Sequence, residues 1–167
     1  LSIYFYSTKI VDSGLGEFFV AVKGSMIVIG TLFIQSGEIT IESILAGIVV
    51  GVLSSLVLFI ASFPDHDADK SKGRKTLVIV TGKERAVKLF WIFPLVSYCA
   101  ILSGVLLQVF PLLSMISFLS IPIMIKSGLG LKKHFNSVDN LFPFMSSTLM
   151  FSRLTGVLFV ISFLIKF

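Results

Sequence analysis

The sequence predicts an all-α protein, a polytopic bundle of transmembrane helices. Of its 167 residues, 55% are hydrophobic and only 14% are charged, with a mean hydropathy of +1.00. The apolar residues form runs close to the roughly 20 residues that a helix needs to cross a bilayer. This composition excludes a soluble globular domain and makes the lipid bilayer a partner. Because the net charge of +5 lies mostly between the apolar runs, it indicates membrane topology, and no nucleic-acid partner is expected.

Five apolar runs predict five membrane spans. In chain order they cover residues 15–35, 41–63, 86–109, 111–131 and 147–166. Residues 1–6, LSIYFY, look like the end of a sixth span, and the first residue is Leu rather than Met. We therefore expect residues 1–167 to be the C-terminal part of a longer transmembrane domain.

Basic residues fall on alternate connections between the spans. The 64–88 connection carries seven Lys and Arg residues, whereas the turns at 36–40 and 108–111 carry none. Loops rich in Lys and Arg tend to stay on the cytoplasmic side of a membrane. This pattern predicts that the 64–88 loop faces the cytoplasm.

Small residues and prolines within the predicted spans suggest how the helices pack. Gly47 and Gly51 form a small-xxx-small pair, which allows close approach of a neighbouring helix. Pro94 and Pro122 lie inside predicted spans, where proline usually kinks a helix.

The most polar stretch is FPDHDADKSKGRKT at residues 63–76, with three carboxylates, one histidine and four basic residues. If the helix of the second span continues through it, Asp65 and Asp69 share one face with Cβ atoms about 6 Å apart. Carboxylates that close repel each other unless a cation lies between them. Mg²⁺ suits such oxygen ligands and commonly bridges carboxylates to a substrate phosphate. Asp67 lies on another face and is a weaker candidate ligand.

The surrounding residues narrow the kind of metal site. A calcium loop of the EF-hand type needs Gly and Glu at its sixth and twelfth positions, where this segment has Lys70 and Thr76. That interpretation fails. Basic residues alone are typical of an ordinary cytoplasmic loop, but basic and acidic residues together at a membrane face favour a metal–diphosphate site.

Three stretches resemble a known family. DHDADKSKGRKTLVIVTGKERA (65–86) is similar to the second aspartate motif of the UbiA superfamily of intramembrane prenyltransferases, with D-x-x-x-D, G-[KR]-x-T and G-x-x-x-A in order. GLGEFFV…GTLFIQSG (14–37) resembles the arm that includes the dihydroxynaphthoate prenyltransferases of menaquinone synthesis. RLTGVLFVISFLI (153–165) is similar to the last helix of that arm.

The resemblance implies a bundle of nine helices around a central cavity, of which about five to six lie in this chain. Two aspartate motifs would hold Mg²⁺ on an isoprenyl diphosphate, which ionises to an allylic cation that an acceptor captures. Carried over by motif, Asp65 and Asp69 are the metal-binding and catalytic residues. The implied substrate-binding residues are Tyr6, Ser7, Lys9 and Arg74.

Two features depart from the family pattern. The usual Tyr-x-x-x-Lys spacing is one residue longer than the spacing from Tyr6 to Lys9. The first aspartate motif, N-D-x-x-D-x-x-x-D, occurs nowhere in the 167 residues. We therefore expect missing N-terminal helices to carry it, and we expect this segment alone to be inactive.

The predicted function is Mg²⁺-dependent transfer of an isoprenyl group from its diphosphate to a lipid-soluble acceptor. The GLGE resemblance favours an aromatic acceptor of quinone biosynthesis, while glycerophosphate ethers, haem and chlorophyll-type acceptors stay open. A rival from another class is a membrane transporter with an acidic metal-binding loop. Against it, the spans show no inverted repeat and the charges cluster at the membrane face, not at the midplane.

Overall fold

The computed structural model describes residues 14–165, and all regular secondary structure in that range is helical. The elements are α1 (Gly16–Ser36), α2 (Ile41–Ala61), α3 (His66–Ser71), α4 (Leu77–Thr81), α5 (Lys83–Leu89), α6 (Ile92–Leu106), a 3₁₀-helix (Leu112–Ser120), α7 (Ile121–His134) and α8 (Val138–Leu164). The all-α fold class is confirmed.

Five helical segments of the described range are long and apolar enough to cross a membrane. They are Gly16–Ser36, Ile41–Ala61, Lys83–Leu106, Leu112–His134 and Val138–Leu164. Each corresponds to one predicted span, so the chain is a multi-pass membrane protein. The first two segments match the predicted limits most closely, whereas the last begins nine residues before the predicted residue 147.

Pro94 and Pro122 each lie close to the point where one helix of the span ends and the next begins. Pro94 is the third residue of α6 and Pro122 is the second residue of α7. The first N–H groups of a helix have no intrahelical acceptor, so proline there costs no hydrogen bond. Both prolines therefore stand where a helix begins. Pro143 lies in the interior of α8, in a stretch predicted to connect two spans.

Small residues let α1 and α2 pack as a close antiparallel hairpin. A Cβ added to Gly24 would lie 2.8 Å from Gly51 Cα, and one added to Gly47 would lie 2.9 Å from Ser25 O. Ser25 Oγ uses this proximity to donate to Gly47 O at 2.9 Å. The predicted close approach at Gly47 and Gly51 is confirmed, and it fixes the start of α1 beside the end of α2.

Helix α2 lies at the centre of the described bundle, packed against α1, α6 and α8. Its side chains Val49, Leu56 and Phe59 are fully buried. Phe59 also contacts Phe63 and Phe93, with ring centroids 5.4 and 4.9 Å apart respectively. These contacts hold the end of α2 in the core, directly before the charged segment begins.

Candidate functional site

The two predicted metal-binding aspartates lie on a short helix of their own. Helix α2 ends at Ala61, and α3 begins at His66 with Asp65 as its N-cap residue. Helix α2 therefore does not continue through Asp65 and Asp69. The separation by one helical turn is kept, because the N–H of Asp69 donates to Asp65 O at 2.8 Å.

A glycine turn brings the basic residues back over the aspartates. Gly73 follows α3 with φ of 76°, a left-handed conformation that glycine adopts without strain. The N–H of Gly73 donates to Lys70 O and the N–H of Arg74 donates to Asp69 O, at 3.1 and 3.0 Å. This is a Schellman ending of the helix. As a result, Arg74 Nη1 lies 3.1 Å from Asp69 Oδ1.

Two further motif residues have structural tasks. Thr76 is the N-cap of α4, and its side chain accepts the N–H of Ile79 at 3.3 Å. Gly82 separates α4 from α5 with φ of 81°. The G-[KR]-x-T pattern is thus explained locally: the glycine ends one helix and the threonine starts the next. Arg74 and Lys75 lie between this glycine and this threonine, and the local helix ends do not account for their charge.

Acidic and basic side chains line one cavity of about 180 Å³ at the end of the α1–α2 hairpin. Asp65 and Asp69 come from the α3 region, and Arg74 and Lys75 come from the returning segment. The other lining residues are Gly16, Glu17, Leu58, Ala61, Ser62 and Thr76. Opposite charges therefore face the same space, with apolar groups of α2 behind them.

Glu17 also lines the cavity, although it belongs to none of the predicted site residues. It is the second residue of α1, and only 3% of its surface is exposed. Both carboxylate oxygens accept the N–H of Leu77, at 3.2 and 3.3 Å. An acid at the start of an apolar run was the available signal, because ionisable residues there usually have a specific partner.

Asp67 differs from its two neighbours in position and electrostatics. It is exposed and does not line the cavity. A hydrogen bond from His66 Nδ1 at 2.7 Å lowers the pKa of the Asp67 carboxyl, and Lys83, with Nζ 3.8 Å away, lowers it further. Asp67 is therefore paired within the loop, in agreement with its weaker candidacy as a metal ligand.

The remaining predicted site residues, Tyr6, Ser7 and Lys9, lie outside the described residues. Arg74 is half-exposed and lines the same cavity as Asp65 and Asp69. Among the described residues, the structure thus brings Asp65, Asp69 and Arg74 together.

The donor set suits a hard cation whose coordination is completed by other ligands. Asp65 and Asp69 offer carboxylate oxygens, and Mg²⁺ is typically held by one or two carboxylates plus waters and substrate phosphates. Between residues 14 and 165, no group of three or more His, Cys, Asp or Glu side chains is arranged to hold a metal ion. Among these residues, Asp65 and Asp69 could contribute two carboxylates to a metal site.

Comparison with known proteins shows the family of the chain. The model of the UbiA prenyltransferase family matches residues 1–149. The chain belongs to this family. It is similar to a 1,4-dihydroxy-2-naphthoate octaprenyltransferase of Bacillus subtilis, with 29% identity over 153 residues. The match covers 91% of the chain and 49% of that relative, so the chain spans about half the relative's length. No solved structure matches the chain.

Proposed function

We propose that this chain supplies one side of the active site of a Mg²⁺-dependent prenyltransferase. The observation that carries the proposal is the shared cavity of Asp65, Asp69, Arg74 and Lys75 at the end of the apolar spans. Its two carboxylates can hold Mg²⁺ and its two cations can bind the donor's diphosphate. Family membership supports this reaction over the transporter alternative.

The basic residues have a direct task in binding the diphosphate. Arg74 presents a planar guanidinium with five N–H donors, of which the bond to Asp69 Oδ1 uses one. It can therefore keep that bond while donating to phosphate oxygens. Lys75 lines the same cavity and adds a second positive charge. Together they neutralise the charge that grows on the diphosphate as it leaves.

The proposed reaction breaks the bond between C1 of the isoprenyl group and the diphosphate oxygen. A carbon of the acceptor forms the new bond to C1 and then releases a proton. When bound, Mg²⁺ would supply positive charge at the leaving oxygens. Leu58 and Ala61 form an apolar part of the wall, which limits the access of water to the reacting carbon.

The proposed acceptor is an aromatic ring of quinone biosynthesis. Its support is the naphthoate that the Bacillus subtilis relative is named for, together with the GLGE stretch at the start of α1. Glycerophosphate ethers, haem and chlorophyll-type rings are the acceptors to test against it. We further propose that the 64–88 loop faces the cytoplasm, since it carries seven basic residues.

We also propose that the complete enzyme contains a second carboxylate cluster, supplied by helices beyond this chain. Its support is the relative from Bacillus subtilis, of which this chain covers 49%. The segment of residues 1–167 alone is then expected to show no turnover.

The decisive experiment replaces Asp65 by Asn in the complete enzyme. Asn keeps the size of the side chain but removes its charge, so Mg²⁺-dependent diphosphate release should fall at least about 100-fold. Release is measured in membranes with an isoprenyl diphosphate and a dihydroxynaphthoate acceptor. The matched control is Asp139→Asn, an exposed acid in the first turn of α8, which should keep wild-type release. Unchanged release in Asp65→Asn would refute the proposal.

A further inference from the structure

Glu17 has no task in the reaction proposed above, although it is almost completely buried at the edge of the cavity. A buried carboxylate is costly unless it is hydrogen-bonded. The backbone of Glu17, in the first turn of α1, is bonded to α2, because Ser55 Oγ donates to Glu17 O at 2.6 Å. The side chain thus extends from a firmly held backbone.

The carboxylate of Glu17 accepts a hydrogen bond from the backbone of a distant segment. The N–H of Leu77 lies 3.2 Å from Oε1 and 3.3 Å from Oε2, so both oxygens share a single donor. Leu77 is the first residue of α4, and its N–H has no acceptor within that helix. Glu17 therefore satisfies a group that would otherwise be unpaired, across 60 residues of sequence.

This contact holds one end of the basic segment. Arg74 and Lys75 lie between two fixed points: the Schellman turn on Asp69, and the bond from Leu77 to Glu17. Gly73, next to them, permits left-handed backbone angles and would let an unanchored segment swing away. These two contacts hold the backbone on both sides of the two cations.

We infer that Glu17 is a positioning residue, which holds Arg74 and Lys75 in place for the diphosphate through the N–H of Leu77. The inference rests on the proposed function, because it gives the cavity its ligand. The role assigned to Glu17 is to accept the N–H of Leu77, which needs an oxygen at this position and not a negative charge. A neutral acceptor of the same shape should therefore replace it in large part.

The first test compares Glu17→Ala with Glu17→Gln in the complete enzyme. Alanine removes the acceptor, so the KM for the isoprenyl diphosphate should rise about tenfold while the KM for the aromatic acceptor stays the same. Glutamine keeps an oxygen that can accept from Leu77, so its rise should be much smaller. If glutamine is as damaging as alanine, the charge itself is needed and the positioning role is refuted.

The second test removes the donor instead of the acceptor. Leu77→Pro deletes the N–H at the first position of a helix, where proline is tolerated. The preceding residue, Thr76, has ψ of 162°, which is the extended conformation that proline favours before it. It should raise the same KM as Glu17→Ala, and the double variant should be no worse than either. Leu77→Ala, which keeps the N–H, is the matched control. Additive effects of the two changes would overturn the inference.

A third measurement separates this inference from the proposed function. Hydrogen exchange of the peptide over residues 72–81 needs no turnover, and it should speed up in Glu17→Ala but stay slow in Glu17→Gln. The control Glu38→Ala, an exposed acid after α1, should leave exchange and kinetics unchanged. Unchanged exchange in Glu17→Ala refutes the positioning role. If the enzyme shows no prenyl transfer but exchange still speeds up in Glu17→Ala and not in Glu17→Gln, the proposed function is refuted and the positioning role stands. If Glu17→Ala fails to fold, exchange over residues 72–81 is measured in Leu77→Pro instead, and unchanged exchange there refutes the positioning role.

Discussion

The charged segment at residues 64–76 and the interior of the bundle hold their polar groups in different ways. At the segment, carboxylates and cations line an accessible cavity, and Asp65 is exposed without an ion pair inside the described range. The interior instead has a cluster of neutral hydroxyls, which we call the hydroxyl cluster. Its members are Tyr98, Ser114, Ser120, Thr155 and Ser162.

The geometry of the 3₁₀-helix creates the hydroxyl cluster. Side chains three residues apart lie above one another in such a helix, so Ser114, Ser117 and Ser120 form one buried row. Ser120 Oγ lies 2.8 Å from Tyr98 Oη and 2.7 Å from Thr155 Oγ1, and Ser114 Oγ lies 2.8 Å from Ser162 Oγ. These bonds join the 3₁₀-helix to α6 and α8.

The contrast shows where each kind of polar group is tolerated. A charge inside an apolar bundle is expensive, while hydroxyls can bond to each other and to the helix carbonyls. Charges at the segment are left with free bonding capacity, which a ligand can use. The hydroxyl cluster has most of its capacity satisfied within the protein. We therefore expect changes at the segment to affect turnover, and changes in the cluster to affect stability.

The largest expected effect is that of Asp69→Asn. Mg²⁺-dependent transfer in the complete enzyme should fall at least about 100-fold, because the carboxylate charge near the metal is lost. Thermal stability should hardly change, because the ion pair with Arg74 is partly exposed and such pairs contribute little. Turnover and melting temperature measured on the same preparation test both statements.

Arg74→Gln is the control for the ion pair in this experiment. It breaks the same contact with Asp69 but leaves the carboxylate in place. We expect a higher KM for the isoprenyl diphosphate with a smaller loss of kcat than in Asp69→Asn. Identical kinetics in the two variants would mean that the pair itself, and not the metal, explains the role of Asp69.

The parts of the fold that depend on hydrophobic length could be predicted from the sequence. Five apolar runs became five spans, and the glycine pair of α2 became a close helix contact. The start of the last span was missed, because Asp139, Asn140 and Pro143 resemble a loop. In the structure these residues continue α8 beyond the apolar run, so polarity alone misplaced the end of the helix.

Contacts between distant residues were harder to predict. The aspartate pair was visible from its spacing of four, whereas the bond from Leu77 to Glu17 joins residues 60 apart and depends on how α1 and α2 pack. The 3₁₀-helix was predicted as part of an ordinary span. The spacing of its three serines by three was a usable signal, since it matches a period of 3.0 and not 3.6.

A moderate effect on stability is expected from Ser120→Ala. The change leaves the hydroxyls of Tyr98 and Thr155 without their shared partner, which should cost about 1 kcal/mol. Turnover per folded molecule should be unaffected. Thermal denaturation in detergent gives the comparison, with the exposed Ser146→Ala of α8 as control. Equal melting temperatures for the two variants would show that the hydroxyl cluster does not stabilise the bundle.

The smallest effect should come from Asp67→Asn, two residues from each aspartate of the cavity. Its charge lies outside the cavity, where it is paired with His66 and close to Lys83. Water screens such an exposed pair, so neither the melting temperature nor the Mg²⁺ dependence of transfer should change measurably. Titration of transfer against Mg²⁺ is the sensitive measurement. A right-shifted curve for Asp67→Asn would show that local charge density, and not the shared face of Asp65 and Asp69, attracts the metal.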